Sequence, residues 1–148
     1  MKILIQRVKS AAVKINDELY SNINKVILVF FCVEKNDKEE SIEWLANKLL
    51  KLRIFEDENG KMNRSVVDEN GEILVVSQFT LAGNCQKGTR PSFDKAASPQ
   101  HAELFYNKFI ERLCREKISV KTGVFRAMMD ISLVNWGPVT FMLEHEST

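Results

Sequence analysis

Apolar residues recur at three- and four-residue intervals in two stretches of the chain, which is the spacing of one buried helical face. The stretches are residues 36–52 and 98–117. Their apolar positions are Ile42, Leu45, Ala46, Leu49 and Leu52 in the first, and Ala102, Phe105, Tyr106, Phe109 and Leu113 in the second. Asp37, with a glutamate three residues later, is the expected cap of the first helix. Ser98 is expected to cap the second, with Pro99 as its first helical residue.

The other apolar segments have the lengths and the β-branched residues of strands. The predicted strands are residues 2–9, 11–16, 26–33, 72–78, 130–134 and 139–143. The runs KVILVFFCV (25–33) and EILVV (72–76) are apolar almost throughout, which indicates strands buried on both faces. Asn59-Gly60 predicts a hairpin turn. Gly137-Pro138 lies between the last two strands and predicts another turn.

This order of elements predicts a single compact α/β domain over residues 1–148, with a mixed sheet and two main helices covering one face. The net charge is only +1, so no global field attracts nucleic acid, and an RNA partner would be held through a few local contacts. No run approaches 18 apolar residues, so we expect no membrane span. The three cysteines are widely separated and form no C-x-x-C pair, which fits a reducing cytoplasm.

Polar residues end the strand at 72–78, in the segment Ser77-Gln78-Phe79-Thr80. Polar groups at the end of a buried strand, followed by a loop of small residues, form a common site geometry. The same groups could instead satisfy neighbouring backbone atoms, and the pattern leaves both interpretations open. A nucleophilic Ser77 or Thr80 would need a base, but neither histidine lies in a recognisable nucleophile motif. An enzyme built on this segment would depend on backbone dipoles and positioning, which restricts it to reactive substrates.

A short basic loop is the second candidate. Residues 86–93, QKGTRPSF, place Lys87 and Arg90 just before Phe93. Such a loop can hold a phosphate and stack a base. The alternative is a solvated loop, and it is favoured unless the loop lies beside the segment at 77–80.

Arg7 is the third candidate, because side-chain alternation along a strand places it on one face with Ile3 and Ile5. An arginine on an apolar face needs carboxylate or carbonyl partners. Its side chain could instead extend to the surface, and the residues alone favour this second interpretation.

Two motifs point to a known family. SQFTL at 77–81 and NWGPVT at 135–140 resemble the signature motifs of the D-aminoacyl-tRNA deacylases. The likeness covers essentially the whole chain, through the segments IQRV, LRIFEDENGKMN, GEILVVSQFTL, RPSF and TGVFRAMM. It implies a layered α/β/β sandwich that acts as a cytoplasmic homodimer without a metal or organic cofactor. The implied activity is hydrolysis of the ester that joins a D-amino acid to the 3′ end of tRNA.

The resemblance also implies roles for residues. It makes the backbone N–H groups around Gln78, Phe79 and Thr80 the donors to the oxyanion, beside Ser77 of the same motif. Water, helped by the terminal 2′-hydroxyl of the tRNA, is preferred over Thr80 as the nucleophile. A cis Gly137-Pro138 bond would reach into the partner's active site and exclude L side chains, so glycyl-tRNA should also be cleaved.

Supporting roles follow in the same way. Arg7 would donate to the Gly-Pro carbonyls, and Asn135 belongs to the same motif. Met129 would either line the pocket near the terminal adenosine or fill the core. Lys87 and Arg90 are the expected contacts to tRNA phosphates.

The chain departs from the family pattern where Asn24, Val26 and Cys32 replace usual glycines. Cys32 lies in a predicted buried strand and is expected to belong to the core. Three alternative functions stay open. One is a non-catalytic RNA- or nucleotide-binding dimer of the same fold, and another is a cysteine hydrolase that uses Cys85 with His101 or His145. The third is a relative that removes a wrongly attached L-alanine, although such relatives depart from the SQFTL form that this chain retains.

Overall fold

The computed structural model describes residues 1–148. Its main feature is a six-stranded mixed sheet, in which strand β1 (Lys2–Ile15) is central. The other elements, in chain order, are β2 (Glu18–Ile23), β3 (Val26–Cys32), α1 (Glu39–Lys51), β4 (Phe55–Glu56), β5 (Met62–Arg64), β6 (Glu72–Ser77), α2 (Pro99–Cys114), β7 (Ser119–Thr122) and β8 (Asp130–Glu144). A 3-10 turn, Phe79–Ala82, follows β6. β1 pairs antiparallel with β2, β3 and β8, whereas β3–β6 and β6–β7 are parallel.

Two apolar clusters on opposite faces of β3 and β6 build the layers. Ile27, Val29 and Phe31 face both helices, and Leu28 faces the other way, as alternation requires. The first half of β1 joins the helix-facing cluster, and its second half, with β2 and the start of β8, covers the opposite face. The predicted α/β domain with a mixed sheet and two helices on one face is therefore confirmed.

The long strands correct two expectations. Residues 2–9 and 11–16 form one strand, β1, and residues 130–134 and 139–143 are both parts of β8. The prediction that Gly137-Pro138 reverses the chain is therefore wrong. The two residues lie within β8, at the point where the register of its pairing with β1 shifts. The strands β2 and β7 were not predicted, because both are short and largely exposed. The turn at Asn59-Gly60 is confirmed between β4 and β5, with Gly60 at φ +72°.

The helices follow their apolar spacing, but only one cap is as predicted. Ser98 caps α2, and its side chain accepts a hydrogen bond from the His101 N–H. Lys38, not Asp37, is the cap residue of α1, and its side chain makes no capping bond. The Asp37 carboxylate instead accepts hydrogen bonds from the Met1 amino group at 2.5 Å and the Glu34 N–H at 2.7 Å. Neither helix has the length and apolar character needed to cross a membrane.

Candidate active site

The carboxyl end of β6 leads directly into the 3-10 turn. The Gln78 N–H donates to the Phe31 carbonyl of β3 at 2.8 Å, which anchors the start of the turn. The first hydrogen bond within the turn runs from the Leu81 N–H to the Gln78 carbonyl at 3.2 Å. The N–H groups of Phe79 and Thr80 precede that bond, so the turn supplies no acceptor for them. Two adjacent backbone donors are thus left available at the end of a buried strand.

The side chains of this segment contain no activated nucleophile. Gln78 Nε2 donates to Thr80 Oγ1, so an amide rather than a base contacts this hydroxyl. Neither histidine is nearby in the hydrogen-bond network: His145 Nδ1 bonds to Ser41 Oγ at 2.8 Å, and His101 packs on Phe105. Nor are any three histidine, cysteine or carboxylate side chains grouped so that they could hold a metal ion.

Tyr106 and Gly123 both bind strand β6 just before the segment at 77–80. The Tyr106 hydroxyl of α2 donates to the Val75 carbonyl at 2.8 Å, and the Gly123 N–H donates to the same oxygen at 3.1 Å. Burial raises the pKa of Tyr106 well above its ordinary value, so the phenol remains protonated and keeps donating. Tyr106 was predicted only as a member of the apolar stripe of α2, because periodicity does not indicate what a buried hydroxyl contacts.

The basic loop lies beside this segment. Phe93 packs against Phe79 with 5.1 Å between the ring centroids, and both rings are exposed, by 38% and 58% respectively. The loop is closed by two backbone hydrogen bonds between Asn84 and Ser92, at 2.7 and 2.9 Å. Lys87 and Arg90 project from the exposed loop between these ends. This position meets the condition that the sequence set for a phosphate-binding loop.

Met129 lies at the same end of the sheet. Its sulfur occupies the space of the missing side chain of Gly123, since a Cβ built there would be 2.6 Å from Met129 Sδ. The side chain is half-buried and packs on the cluster that includes Leu74 and Val76. Met129 therefore contributes to the core and also borders the carboxyl end of β6.

Gly137 and Pro138 form an exposed bulge in β8. Five residue steps from Asn135 to Thr140 lie opposite only two steps of β1, from Gln6 to Val8, and the Gly137–Pro138 peptide bond is cis. Asn135 Nδ2 lies across the base of the bulge, 3.3 Å from the Val139 carbonyl and 3.4 Å from the Arg7 carbonyl. A Cβ at position 137 would be 2.6 Å from Asn135 Oδ1, so the glycine leaves room for this side chain.

Arg7 is buried, with 3% of its surface exposed, so the expectation that it extends to the surface was wrong. Its Nε donates to the Trp136 carbonyl at 2.9 Å, and its Nη1 donates to the Ile54 carbonyl at 2.8 Å. The predicted bonds to the Gly137 and Pro138 carbonyls are not made. Arg7 instead holds the residue that precedes them, because the bulge directs the Trp136 oxygen inward.

Within one chain the two motifs are far apart. The Gln78 N–H bonds to Phe31, whereas Arg7, under the bulge, pairs with Ile27 on the same strand, β3. Phe31 and Ile27 are four residues apart along β3, which corresponds to about 13 Å. The bulge of one chain and the 3-10 turn of the same chain therefore lie near opposite ends of β3.

Comparison with known proteins identifies the family. A sequence model of the family described as D-Tyr-tRNA(Tyr) deacylase matches residues 4–144. A D-aminoacyl-tRNA deacylase of Thermodesulfovibrio yellowstonii is 54% identical over 140 residues, which are 95% of this chain and 96% of that protein. Another, from Aquifex aeolicus, is 50% identical over 144 residues, 97% of each chain. The chain belongs to the D-aminoacyl-tRNA deacylase family.

Two solved structures share the fold of this chain. A structure described as the c-Myc DNA Unwinding Element Binding Protein is 41% identical, with a TM-score of 0.94 and coverage of 99% of this chain and 100% of that one. A probable eukaryotic D-amino acid tRNA deacylase has a TM-score of 0.82 at 16% identity, over 96% of this chain and 97% of that one, which shows the fold alone. As a member of this family, the chain is an enzyme of the class that hydrolyses ester bonds.

Proposed function

We propose that this enzyme hydrolyses the ester bond between a D-amino acid and the 3′ end of tRNA, as a cytoplasmic homodimer. The observation that carries the proposal is the pair of unbonded N–H groups of Phe79 and Thr80 at the end of β6, in a segment without an activated nucleophile. Such donors stabilise the oxyanion of an acyl-transfer reaction. An aminoacyl ester is reactive enough for this to suffice.

The reaction proceeds by attack of water on the ester carbonyl carbon. As the new C–O bond forms, the π electrons move to the carbonyl oxygen, which the N–H groups of Phe79 and Thr80 stabilise. The intermediate then collapses, and the 3′-oxygen of the terminal adenosine departs and takes up the proton that the attacking water loses. The vicinal 2′-hydroxyl assists this proton transfer, since the chain offers no base beside the segment. The Gln78 side chain positions the aminoacyl group.

Selectivity comes from the bulge of a second copy of the chain. Its main-chain carbonyls at Gly137 and Pro138 crowd the position of an L side chain and leave room for hydrogen. Three features support this arrangement: the bulge is exposed, Arg7 and Asn135 hold it, and it is remote from the turn of its own chain. The outer edge of β8 is also unpaired and displays Val134, Phe141 and Met142, which suits a symmetric contact between copies.

The loop that carries Lys87 and Arg90 contacts the phosphates of the acceptor end in this proposal. The support is the packing of Phe93 against Phe79, which places the loop next to the donors. Met129, at the same end of the sheet, borders the terminal adenosine.

A deacylation assay with three substrates tests the function. We expect D-tyrosyl-tRNA and glycyl-tRNA to be cleaved and L-tyrosyl-tRNA to be retained. Equal cleavage of the D- and L-tyrosyl esters would overturn the proposed stereoselectivity. If D-tyrosyl-tRNA is cleaved and glycyl-tRNA is not, steric exclusion of the L side chain is not the cause of the selectivity. Binding of tRNA without cleavage of any ester would instead favour the non-catalytic RNA- or nucleotide-binding dimer.

A heterodimer tests whether the bulge acts across the dimer. One subunit carries Phe79→Pro and an intact bulge, and the other carries Gly137→Val and an intact turn. If the bulge acts in trans, the intact turn of one subunit meets the intact bulge of the other and forms the only active site. The heterodimer then rejects L-tyrosyl-tRNA like the wild type. If the bulge acts in cis, the active subunit carries the altered bulge, and its L-rejection matches that of the Gly137→Val homodimer.

A further inference from the structure

A buried thiol lies directly beneath the 3-10 turn. Cys32 is the last residue of β3, is 1% exposed, and occupies a position where the family resemblance implies glycine. Its Sγ is 3.6 Å from the Phe79 carbonyl oxygen, within the range of an S–H···O hydrogen bond. Its other acceptor within range, the Val33 carbonyl, is farther away at 3.9 Å. The thiol therefore contacts the first residue of the turn.

The contact with the Phe79 carbonyl determines where a neighbouring donor points. The Phe79 C=O and the Thr80 N–H belong to one planar peptide unit, in which the two groups point in opposite directions. A thiol that binds the carbonyl from the buried side therefore directs the Thr80 N–H outward. The Gln78 carbonyl accepts from the Leu81 N–H at 3.2 Å, which fixes the preceding peptide unit, the one that carries the Phe79 N–H, in the same way.

We propose that Cys32 is a positioning residue, whose S–H bond to the Phe79 carbonyl holds the Thr80 N–H toward the ester carbonyl oxygen. This inference rests on the proposed role of the turn as the oxyanion-binding element. A glycine at this position could not make the bond, so relatives with glycine must hold the turn by other contacts. Cys32 does not act as a nucleophile: burial raises the pKa of its thiol to about 11, so it stays protonated and able to donate.

Two variants separate the hydrogen bond from simple packing. Cys32→Ala removes the sulfur and leaves a small void, whereas Cys32→Val also lacks the donor but fills the space. Cys114→Ala, at the exposed end of α2, is the matched control. For each protein we would measure kcat and KM for D-tyrosyl-tRNA, and amide hydrogen exchange in peptides that span residues 78–83.

We expect both Cys32 variants to lower kcat by about three- to tenfold, as for loss of one hydrogen bond, with KM within about twofold of wild type. Exchange should rise in residues 78–83 and stay unchanged in α2, and Cys114→Ala should match the wild type. Recovery of kcat in Cys32→Val would overturn the proposal in favour of packing. Faster exchange with unchanged kcat would also overturn it, by showing that the turn does not limit the reaction. If wild type itself fails to cleave any aminoacyl-tRNA, the proposed function fails first.

Discussion

Arg7 contacts Trp136 in two ways at once: its Nε donates to the Trp136 carbonyl at 2.9 Å, and its guanidinium carbon lies 4.6 Å from the centroid of the Trp136 ring. The same side chain donates to the Ile54 carbonyl beyond the end of α1. One buried cation therefore joins the bulge of β8 to the helix layer. This explains how a charged residue is accommodated on an apolar strand face.

Replacing Arg7 with Ala should lower the free energy of unfolding by about 2–4 kcal/mol, because two buried carbonyls lose their donors. We also expect weaker rejection of L-tyrosyl-tRNA, since the Trp136 carbonyl is released beside Gly137. Arg7→Lys should recover only part of both, because an ammonium lacks the planar fork that reaches two carbonyls. Denaturant unfolding and the ratio of D to L deacylation rates measure these effects.

The control for this substitution is Arg53→Ala, at an exposed arginine whose side chain bonds only to Asn63, at 3.0 Å. Its effect on stability should stay within about 0.5 kcal/mol. A folded Arg7→Ala protein with unchanged stereoselectivity would contradict the role in the bulge.

The N–H of Phe79 can be removed without breaking the turn. Phe79 is the first residue of the 3-10 turn, where proline is tolerated because its missing N–H has no partner within the turn. Phe79→Pro should therefore lower kcat by about 10²–10³-fold relative to Phe79→Ala, which loses only the ring. Equal kcat in these two variants would show that this N–H does not stabilise the oxyanion.

Thr80 should be dispensable as a nucleophile. Its hydroxyl accepts a hydrogen bond from Gln78 and contacts no base, so Thr80→Val should retain kcat within about tenfold of wild type, whereas loss of a true nucleophile costs about 10⁴-fold or more. Single-turnover deacylation measures this difference, and Thr80→Ala should agree with it. A covalent aminoacyl-enzyme trapped on Thr80 in the wild type would disprove the prediction.

The free energy of unfolding should fall at alkaline pH because Cys32 is buried as a thiol. Its pKa rises from an ordinary value of 9.0 to about 11 in the folded protein, because burial disfavours the thiolate. Between these pH values the unfolded chain loses the thiol proton and the folded chain keeps it, so the free energy of unfolding falls as pH rises. The loss contributed by this group should reach at most about 3 kcal/mol.

Unfolding of wild type and Cys32→Val at pH 8, 9, 10 and 11 isolates this contribution from that of other titrating groups. The difference in stability between the two proteins should shrink across this interval. A constant difference would show that the thiol titrates alike in the folded and unfolded states.

Lys87 and Arg90 should contribute to tRNA binding through charge. Replacing either with Ala should raise KM by about three- to tenfold at low salt and reduce the slope of log KM against log salt by about 0.7, as for one phosphate contact. Lys117→Ala, at an exposed lysine after α2, removes the same charge elsewhere and should change neither quantity. An equal change in the Lys117 variant would mean that only net charge matters.

Local patterns in the sequence were sufficient for much of the fold. Apolar spacing located both helices, and the β-branched runs at 25–33 and 72–76 identified strands buried on both faces. The motifs at 77–81 and 135–140 carried the family assignment. These features depend on residues that are close in the chain, so a single sequence is enough to recognise them.

Other features were decided only in three dimensions. The pattern around Gly137-Pro138 predicted a turn, but pairing with β1 keeps β8 continuous and makes the segment a bulge. Whether Arg7 is buried, and which carbonyls it binds, depends on Ile54 and Trp136, which are 47 and 129 residues away in the chain. The position of Cys32 beneath Phe79 likewise follows from the packing of β3 beside β6. The sequence by itself determined which residues form the elements, whereas the partners of each polar group were set by contacts between distant segments, which no local periodicity encodes.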